Sequence, residues 1–255
     1  MFFRFALVML LAVLAGCAGL PAEQAAGTPA RRIAAESLVS VQANGVSLGA
    51  AVALEGPACD GVALVTNAHV LRQAGPSVEL RRGDGGAAVP ARVLAISPRM
   101  DLAVLCAPAG FVVPARVAGS LPERGAPVWA VGPQGLGRAV AQGHVARPGA
   151  RMQGFGSGFT AHMGALMGFS GGPVVDRSGR LVGLTTALAA PGTAPVMAAL
   201  TGVDMAGFWD GARREVFILA APVIEAELLR IAPGARLAMA TAGPRSIRAS
   251  GHHPL

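Results

Sequence analysis

The sequence predicts an all-β fold, a sandwich or a pair of barrels, closed by one C-terminal helix. Three observations carry this. From about residue 37 onward, short apolar or alternating segments recur between Gly, Pro, Asp and Asn, the pattern of many short strands. The stretch Val113 to Arg124, with two prolines and little periodicity, divides those strands into two sets. Only after Pro222 does the apolar spacing become helical.

In the first set the predicted strands are Val46 to Leu54, Val62 to Thr66, Ser77 to Leu80, Val89 to Ile96 and Asp101 to Cys106. In the second they are Pro127 to Val131, Ala139 to Val145, Pro173 to Asp176, Leu181 to Thr186 and Val216 to Leu219. Their close succession argues against alternating βαβ units. From Pro222 to Ile231, Pro222 suits a first helical turn and Val223, Ile224, Leu228 and Leu229 make one apolar face. Acids early and Arg230 late suit the helix dipole. Residues 233–255 are Pro, Gly, Arg and His without a core pattern and are expected to be a disordered tail.

Ahead of the strands, Arg4, an apolar run through Leu14 and the small residues before Cys17 read as an export signal over residues 1–16. The run is short for a bilayer span. Leu14-Ala15-Gly16-Cys17 resembles the lipobox of bacterial lipoproteins, which implies that Cys17 is lipidated and starts the mature chain. An ordinary secretory signal cut nearby, or an uncleaved anchor, is the other reading. Residues 17–34, rich in Ala, Pro and Gly, are expected to be a flexible lipidated tether. The expected location is the periplasmic side of a bacterial membrane, the outer membrane being favoured.

The net charge of +7 raises nucleic acid as a partner, but the cations are all Arg and scattered along the chain, so no nucleic-acid partner is expected. With Cys17 lipidated, Cys59 and Cys106 remain as an even pair in an oxidising compartment, candidates for one bridge or else two buried thiols. The lack of any Cys-x-x-Cys pair gives no support to a zinc site. No metal and no organic cofactor is expected.

Hydrolysis of an amide by serine needs a hydroxyl, a base, a carboxylate to orient the base, and donors for the oxyanion. Gly168-Phe169-Ser170-Gly171-Gly172-Pro173 offers Ser170 as nucleophile in a backbone that can turn tightly, with the amides of Gly168 and Ser170 as oxyanion donors. Thr66-Asn67-Ala68-His69-Val70 puts His69 at a strand end, and Asp101 opens Asp101-Leu102-Ala103-Val104-Leu105. An α/β-hydrolase elbow at Gly168 to Gly172 is excluded by context, since Gly-Gly-Pro and a strand follow Ser170 where that elbow needs a helix. The only later histidines, His252 and His253, lie in the tail; His144 and His162 read as structural or surface residues, His162 bordering a pocket at most.

In their order and local sequence these three motifs resemble the trypsin-like serine peptidases, in particular the bacterial branch that includes the periplasmic HtrA-type proteases, over roughly residues 35–232. The resemblance implies two six-stranded β-barrels, about 35–112 and about 125–222, with His69, Asp101 and Ser170 as a triad in the cleft between them. It implies a serine endopeptidase acting on exported or cell-envelope proteins. Thr186 corresponds to the residue that hydrogen-bonds near the triad carboxylate. The primary specificity pocket maps onto Gly164 at its base and Thr186, Ala187 and Leu188 along its wall, an uncharged lining that implies small or medium aliphatic preference. In the resembled fold the strand Val62 to Thr66, which Cys59 precedes, and the strand from Asp101 that ends at Cys106 are neighbours, which gives a geometry suited to the expected Cys59–Cys106 bridge.

Two features depart from that family. Phe169 stands where Asp or Asn is usual, so pairing with a freed N-terminal amine is not expected. Ala189 to Arg214, with Asp204, Trp209 and Asp210, is longer than its HtrA-type counterpart and is a candidate cover for the cleft. No PDZ domain is expected after residue 232. The competing functional reading is a catalytically quiet protease-fold lipoprotein that binds or senses.

Overall fold

The computed structural model describes residues 22–54, 59–74, 77–83, 85–133, 140–165, 168–188 and 214–232. The signal segment with Cys17, most of the 189–214 loop with Asp204, Trp209 and Asp210, and the 233–255 tail lie outside the described residues.

Twelve strands form two closed antiparallel barrels. The first contains β1 (Leu38–Ala43), β2 (Val46–Ala53), β3 (Val62–Thr66), β4 (Val78–Arg82), β5 (Val89–Ile96) and β6 (Ala103–Ala107), in the order β1-β2-β3-β6-β5-β4. The second contains β7 (Pro127–Val131), β8 (Val140–Met152), β9 (Gly156–Met163), β10 (Pro173–Val175), β11 (Leu181–Leu188) and β12 (Glu215–Ala220), in the order β10-β11-β12-β9-β8-β7. The fold is the chymotrypsin-like double barrel that the motifs imply. Among the described residues the helices are α1 (Ala22–Glu36), α2 (Ala68–Ala74) and α3 (Ala221–Ile231).

The strand expectations miss β1 and β9. β1 is joined to β2 by Asn44-Gly45, both at positive φ, the backbone that a two-residue hairpin requires and that this residue pair supplies most readily. β9 begins with Gly156-Ser157-Gly158, which gives no strand signal, yet it pairs with β8 from end to end and with β12 from Gly158 to His162.

The expected flexible tether is corrected. Its second half is the end of α1, and Ala30, Ile33 and Ala34 are buried there. They join a core that runs between the barrels through Leu38, Val52, Leu102, Trp129, Val131 and Leu184 to Ala221 and Ile224 of α3. The sequence signal is hidden by Pro29 and by the small side chains: Ala at Ala30 and Ala34 is too small to give a strong apolar stripe, but it allows the helix to approach closely. The link after residue 112 is pinned to both barrels, with Ala115 bridging to Leu54 and Val117 to Leu181.

Candidate active site

His69 and Asp101 are placed by the ladder of two neighbouring strands. β3 and β6 pair from Val62↔Ala107 to Thr66↔Ala103, so the end of β3 and the start of β6 lie side by side. His69 follows β3 in the first turn of α2, and Asp101 precedes β6. The Asp101 carboxylate is buried, 3% exposed, and both of its oxygens are used on one residue. Oδ2 meets His69 Nδ1 at 2.6 Å and Oδ1 accepts the His69 amide at 2.8 Å. This double contact fixes both the backbone and the ring, leaving Nε2 as the ring nitrogen turned away from the acid. Arg72, one turn further along α2 and mostly exposed, brings a guanidinium nitrogen to 3.8 Å from Oδ1.

Asn67, whose place beside His69 in the chain gives no sign of a role, stands behind this pair. Fully buried, it donates from Nδ2 to the Asp101 carbonyl at 2.9 Å and to Thr186 Oγ1 at 3.2 Å. Thr186 is thus linked to the Asp101 backbone through Asn67, and its own hydroxyl donates to the Leu184 carbonyl at 3.0 Å. It is also 2% exposed.

Ser170 stands on the turn between β9 and β10, pressed against the first barrel. Ala50 of β2 donates its amide to the Ser170 carbonyl at 2.8 Å, and Thr66 Oγ1 donates to the Ala50 carbonyl at 2.7 Å. Gly171 lies at φ +79, and a Cβ there would stand 2.2 Å from the Ala50 carbonyl oxygen and 2.4 Å from Thr66 Oγ1. Only glycine allows both the angle and the approach. Gly168 has φ +90, and among the described residues the amides of Gly168 and Ser170 make no hydrogen bond. Among the same residues the ring bonds of His69 end at Asp101 and Ser170 Oγ has no partner.

Phe169 turns the other way. It is 1% exposed in the second-barrel core, and its ring lies where a Cβ on Gly132 would be, 2.5 Å from Cε2. The position that departs from the family's usual acid is thus an apolar anchor, and the glycine after β7 makes the room for it. No sequence signal marks Gly132 for that role.

Gly164 follows the last residue of β9 and is half-buried, while Ala187 and Leu188 pair with Phe217 and Val216 of β12. Arg214 brackets Gly164: its carbonyl accepts the Met163 amide at 3.0 Å and its guanidinium donates to the Ala165 carbonyl at 3.2 Å. His162 pairs with His144 and Glu215 across β8, β9 and β12 and lines a shallow groove with Arg124 and Arg147.

Cys59 and Cys106 form a disulfide, with Asp60 beside them. These three residues are close enough to ligate an ion, but the two sulfurs are bonded to each other.

On α3, Glu227 is buried and ionised. Hydrogen bonds from Arg230 hold its carboxyl below the ordinary value of 4.5, against the opposing effect of burial; a bond from Ser97 and the charges of Arg230 and Arg99 act in the same direction.

The sequence model of the trypsin-like peptidase domain matches residues 43–184. A comparison with curated proteins finds no match. Among solved structures, the active form of the Rv3671c protease from M. tuberculosis is similar at a TM-score of 0.61 and 22% identity, covering 81% of this chain and 85% of that one. Its inactive form is similar at a TM-score of 0.57 and the same 22% identity, covering 80% and 93%. The HtrA-type protease AlgW, solved with a tripeptide, is similar at a TM-score of 0.60 and 22% identity, covering 82% of this chain and 64% of AlgW.

Proposed function

Because the chain belongs to the family of trypsin-like peptidase domains, we propose that it is a serine endopeptidase in which Ser170 is the nucleophile, His69 the base and Asp101 the residue that orients the base. The carrying observation is the buried Asp101 carboxylate with both oxygens on His69. Ser170 Oγ attacks the scissile carbonyl carbon while His69 Nε2 takes its proton. The oxyanion that forms is met by the amides of Gly168 and Ser170. Asp101 holds the Nδ1 proton throughout, which keeps Nε2 unprotonated and stabilises the imidazolium once it forms. The same proton then passes from Nε2 to the leaving amine, and water repeats the sequence on the acyl-enzyme.

The proposed substrates are exported or cell-envelope proteins, cut after small or medium aliphatic residues at a pocket based on Gly164. A lipid on Cys17 would hold the enzyme to the periplasmic side of a membrane, each buried methylene contributing about 0.8 kcal/mol. Mass spectrometry of the native N-terminus tests this, and an unmodified chain beginning elsewhere would refute it.

One observation favours the quiet binding module as a second reading: Ser170 Oγ makes no bond to His69 among the described residues. Triad bonds are often open in a free enzyme and close with substrate, so the enzyme reading stands ahead. Labelling by a fluorophosphonate separates the two. Stoichiometric modification at Ser170, absent in Ser170→Ala, is expected of the enzyme; a folded wild-type protein inert to the reagent would leave the binding module.

A further inference from the structure

The turn that carries Asp101 belongs to the first barrel but is gripped from the second. Ser97 and Pro98 open it directly after β5. The Ser97 hydroxyl accepts the amides of Arg99 at 3.0 Å and Met100 at 3.2 Å, the local bonding that shapes a serine-headed turn. The Ser97 amide donates to the Leu102 carbonyl at 2.8 Å, closing the turn around Asp101. One hydrogen of that hydroxyl remains, and it goes to Oε1 of Glu227 on α3. Arg230 completes the carboxylate with a bond from Nε to Oε2 at 2.9 Å and a second from Nη2 to Oε1. The β8–β9 hairpin adds another hold, since Phe155 accepts the Asp101 amide at 3.3 Å.

We propose that Glu227 is a positioning residue for the triad, acting through Ser97 to fix the turn from Ser97 to Leu102 and so the aim of the Asp101 carboxylate at His69. The proposal deepens the reading of His69, Asp101 and Ser170 as the reacting groups and rests on it. Ser97 Oγ takes in two amides and gives out one hydrogen, so its direction is set by where its acceptor stands. Glu227 is buried, 4% exposed, and its ionised form can only accept, so the hydroxyl cannot reverse. Both bonds from Asp101 go to His69, so a displaced turn weakens them together. Because Ser97 and Glu227 stand 130 residues apart, this second hold on the acid of the site is complete only once the helix after β12 has docked.

The test uses the full chain with Glu227→Gln, which places an amide nitrogen against Arg230 or Ser97 where an oxygen accepted. Two readouts are taken: steady-state cleavage of a peptide, and the low-field proton NMR signal of the His69 Nδ1 hydrogen shared with Asp101. The second is recorded in a Ser170→Ala background as well, where turnover plays no part. The expected result is a fall in kcat of about tenfold to 100-fold with KM unchanged, in keeping with the cost of a misplacement of about 1 Å. The low-field signal should broaden or vanish under conditions where the parent protein displays it. Ser97→Ala should give the same pair of changes and Ser97→Thr, which keeps the hydroxyl, should largely restore both. Glu225→Gln, at an exposed position on the same helix, should alter neither. An unchanged kcat and an unchanged signal in folded Glu227→Gln overturn the proposal, as does a lower kcat with the signal intact. Should Glu227→Gln fail to fold, Ser97→Ala decides by the same two readouts. If the parent protein neither labels nor cleaves, the enzyme reading fails, while the NMR signal still tests whether Glu227 positions Asp101.

Discussion

The two barrels share a topology and differ in how they hold chemistry. The first is lined by Val, Ala and Leu, with Phe111 only partly buried against it, and it is tied by the Cys59–Cys106 disulfide. The second encloses Phe159, Phe169 and Met163. His69 and Asp101 stand just beyond the paired ends of two adjacent strands, carried by a continuous ladder, with the Asp101 turn also held by α3 through Ser97. Ser170 stands on a turn with Gly168 and Gly171 at positive φ, fixed instead by what lies beneath it, Phe169, and by what it presses against, Ala50. A ladder resists displacement along its whole length, whereas a turn keeps its place only while its anchors do. Damage to the first barrel's pair should therefore be felt as lost chemistry on an intact frame, and damage beneath Ser170 as lost chemistry and lost stability together.

The largest expected effect tests whether the two halves contribute unequally. Ser170→Ala should lower kcat by about 10^6-fold and abolish fluorophosphonate labelling, as removal of a triad nucleophile does. Asp101→Asn should cost less, about 10^4-fold, because it leaves the shape of the site and reverses only the proton on His69. Single-turnover kinetics on both variants measures the ratio. Equal turnover in Ser170→Ala would end the serine-protease reading, and equal losses in the two variants would show that Asp101 does more than orient the ring.

This division also explains what was legible in the sequence. Motifs within a few consecutive residues, such as Thr66 to Val70 and Gly168 to Pro173, declare themselves because their spacing is the chemistry. The strands of the second set were found wherever apolar residues ran together, but β9, opening on two glycines, was not. The half-buried end of α1 was read as tether because Ala and Pro there resemble linker composition. Gly132 beneath Phe169, Asn67 behind Asp101, and the Ser97–Glu227 contact join residues far apart in the chain, and no local pattern could reveal them. A family pattern names Thr186, but it does not show that Asn67 is what links it to the Asp101 carbonyl.

The anchor itself is the next test. Phe169→Ala should destabilise by about 3–5 kcal/mol, the usual cost of emptying a buried aromatic site. Leu64→Ala in the first barrel, also fully buried, should cost about 2–5 kcal/mol by the same mechanism. The comparison is sharpened by labelling rates at a temperature where both variants stay folded: Phe169→Ala should slow labelling severely, and Leu64→Ala should leave it close to the parent rate. Equal labelling would mean that the Ser170 turn holds its shape without its anchor.

A smaller effect is expected at the far end of the first barrel. Reducing the Cys59–Cys106 bridge, which closes a separation of 47 residues, should remove about 2–4 kcal/mol. Thermal melting with and without reductant measures it, with Cys59→Ser as the control that should not respond. Two free thiols titrating in unfolded, non-reduced protein would refute the bridge. Labelling of Ser170 at low temperature should persist after reduction, since the second barrel contains no part of the bridge.

The smallest effect lies where the barrels meet, at Glu227. Its carboxyl is held below the ordinary value of 4.5, first by the hydrogen bonds from Arg230, with Ser97 and the charges of Arg230 and Arg99 adding to them and burial opposing. A carboxyl whose value is lower in the folded state contributes its full stability above the unfolded value and loses it as pH falls through the folded one. Glu227→Gln has no proton to take up at this position, so the two proteins should differ at pH 7 by about 1.5–3 kcal/mol, the usual range for hydrogen bonds to a charged group. The gap should remain constant down to pH 5 and narrow below 4.5, as the parent protein alone gives up its charged contact. Other carboxyls with lowered values, Asp176 and Glu215, titrate alike in both proteins and cancel in the difference. Denaturant unfolding from pH 7 to pH 3 measures the gap. If it stays constant into the acid range, the stability supplied by Glu227 does not depend on its charge, and the Ser97 contact holds the Asp101 turn by shape alone.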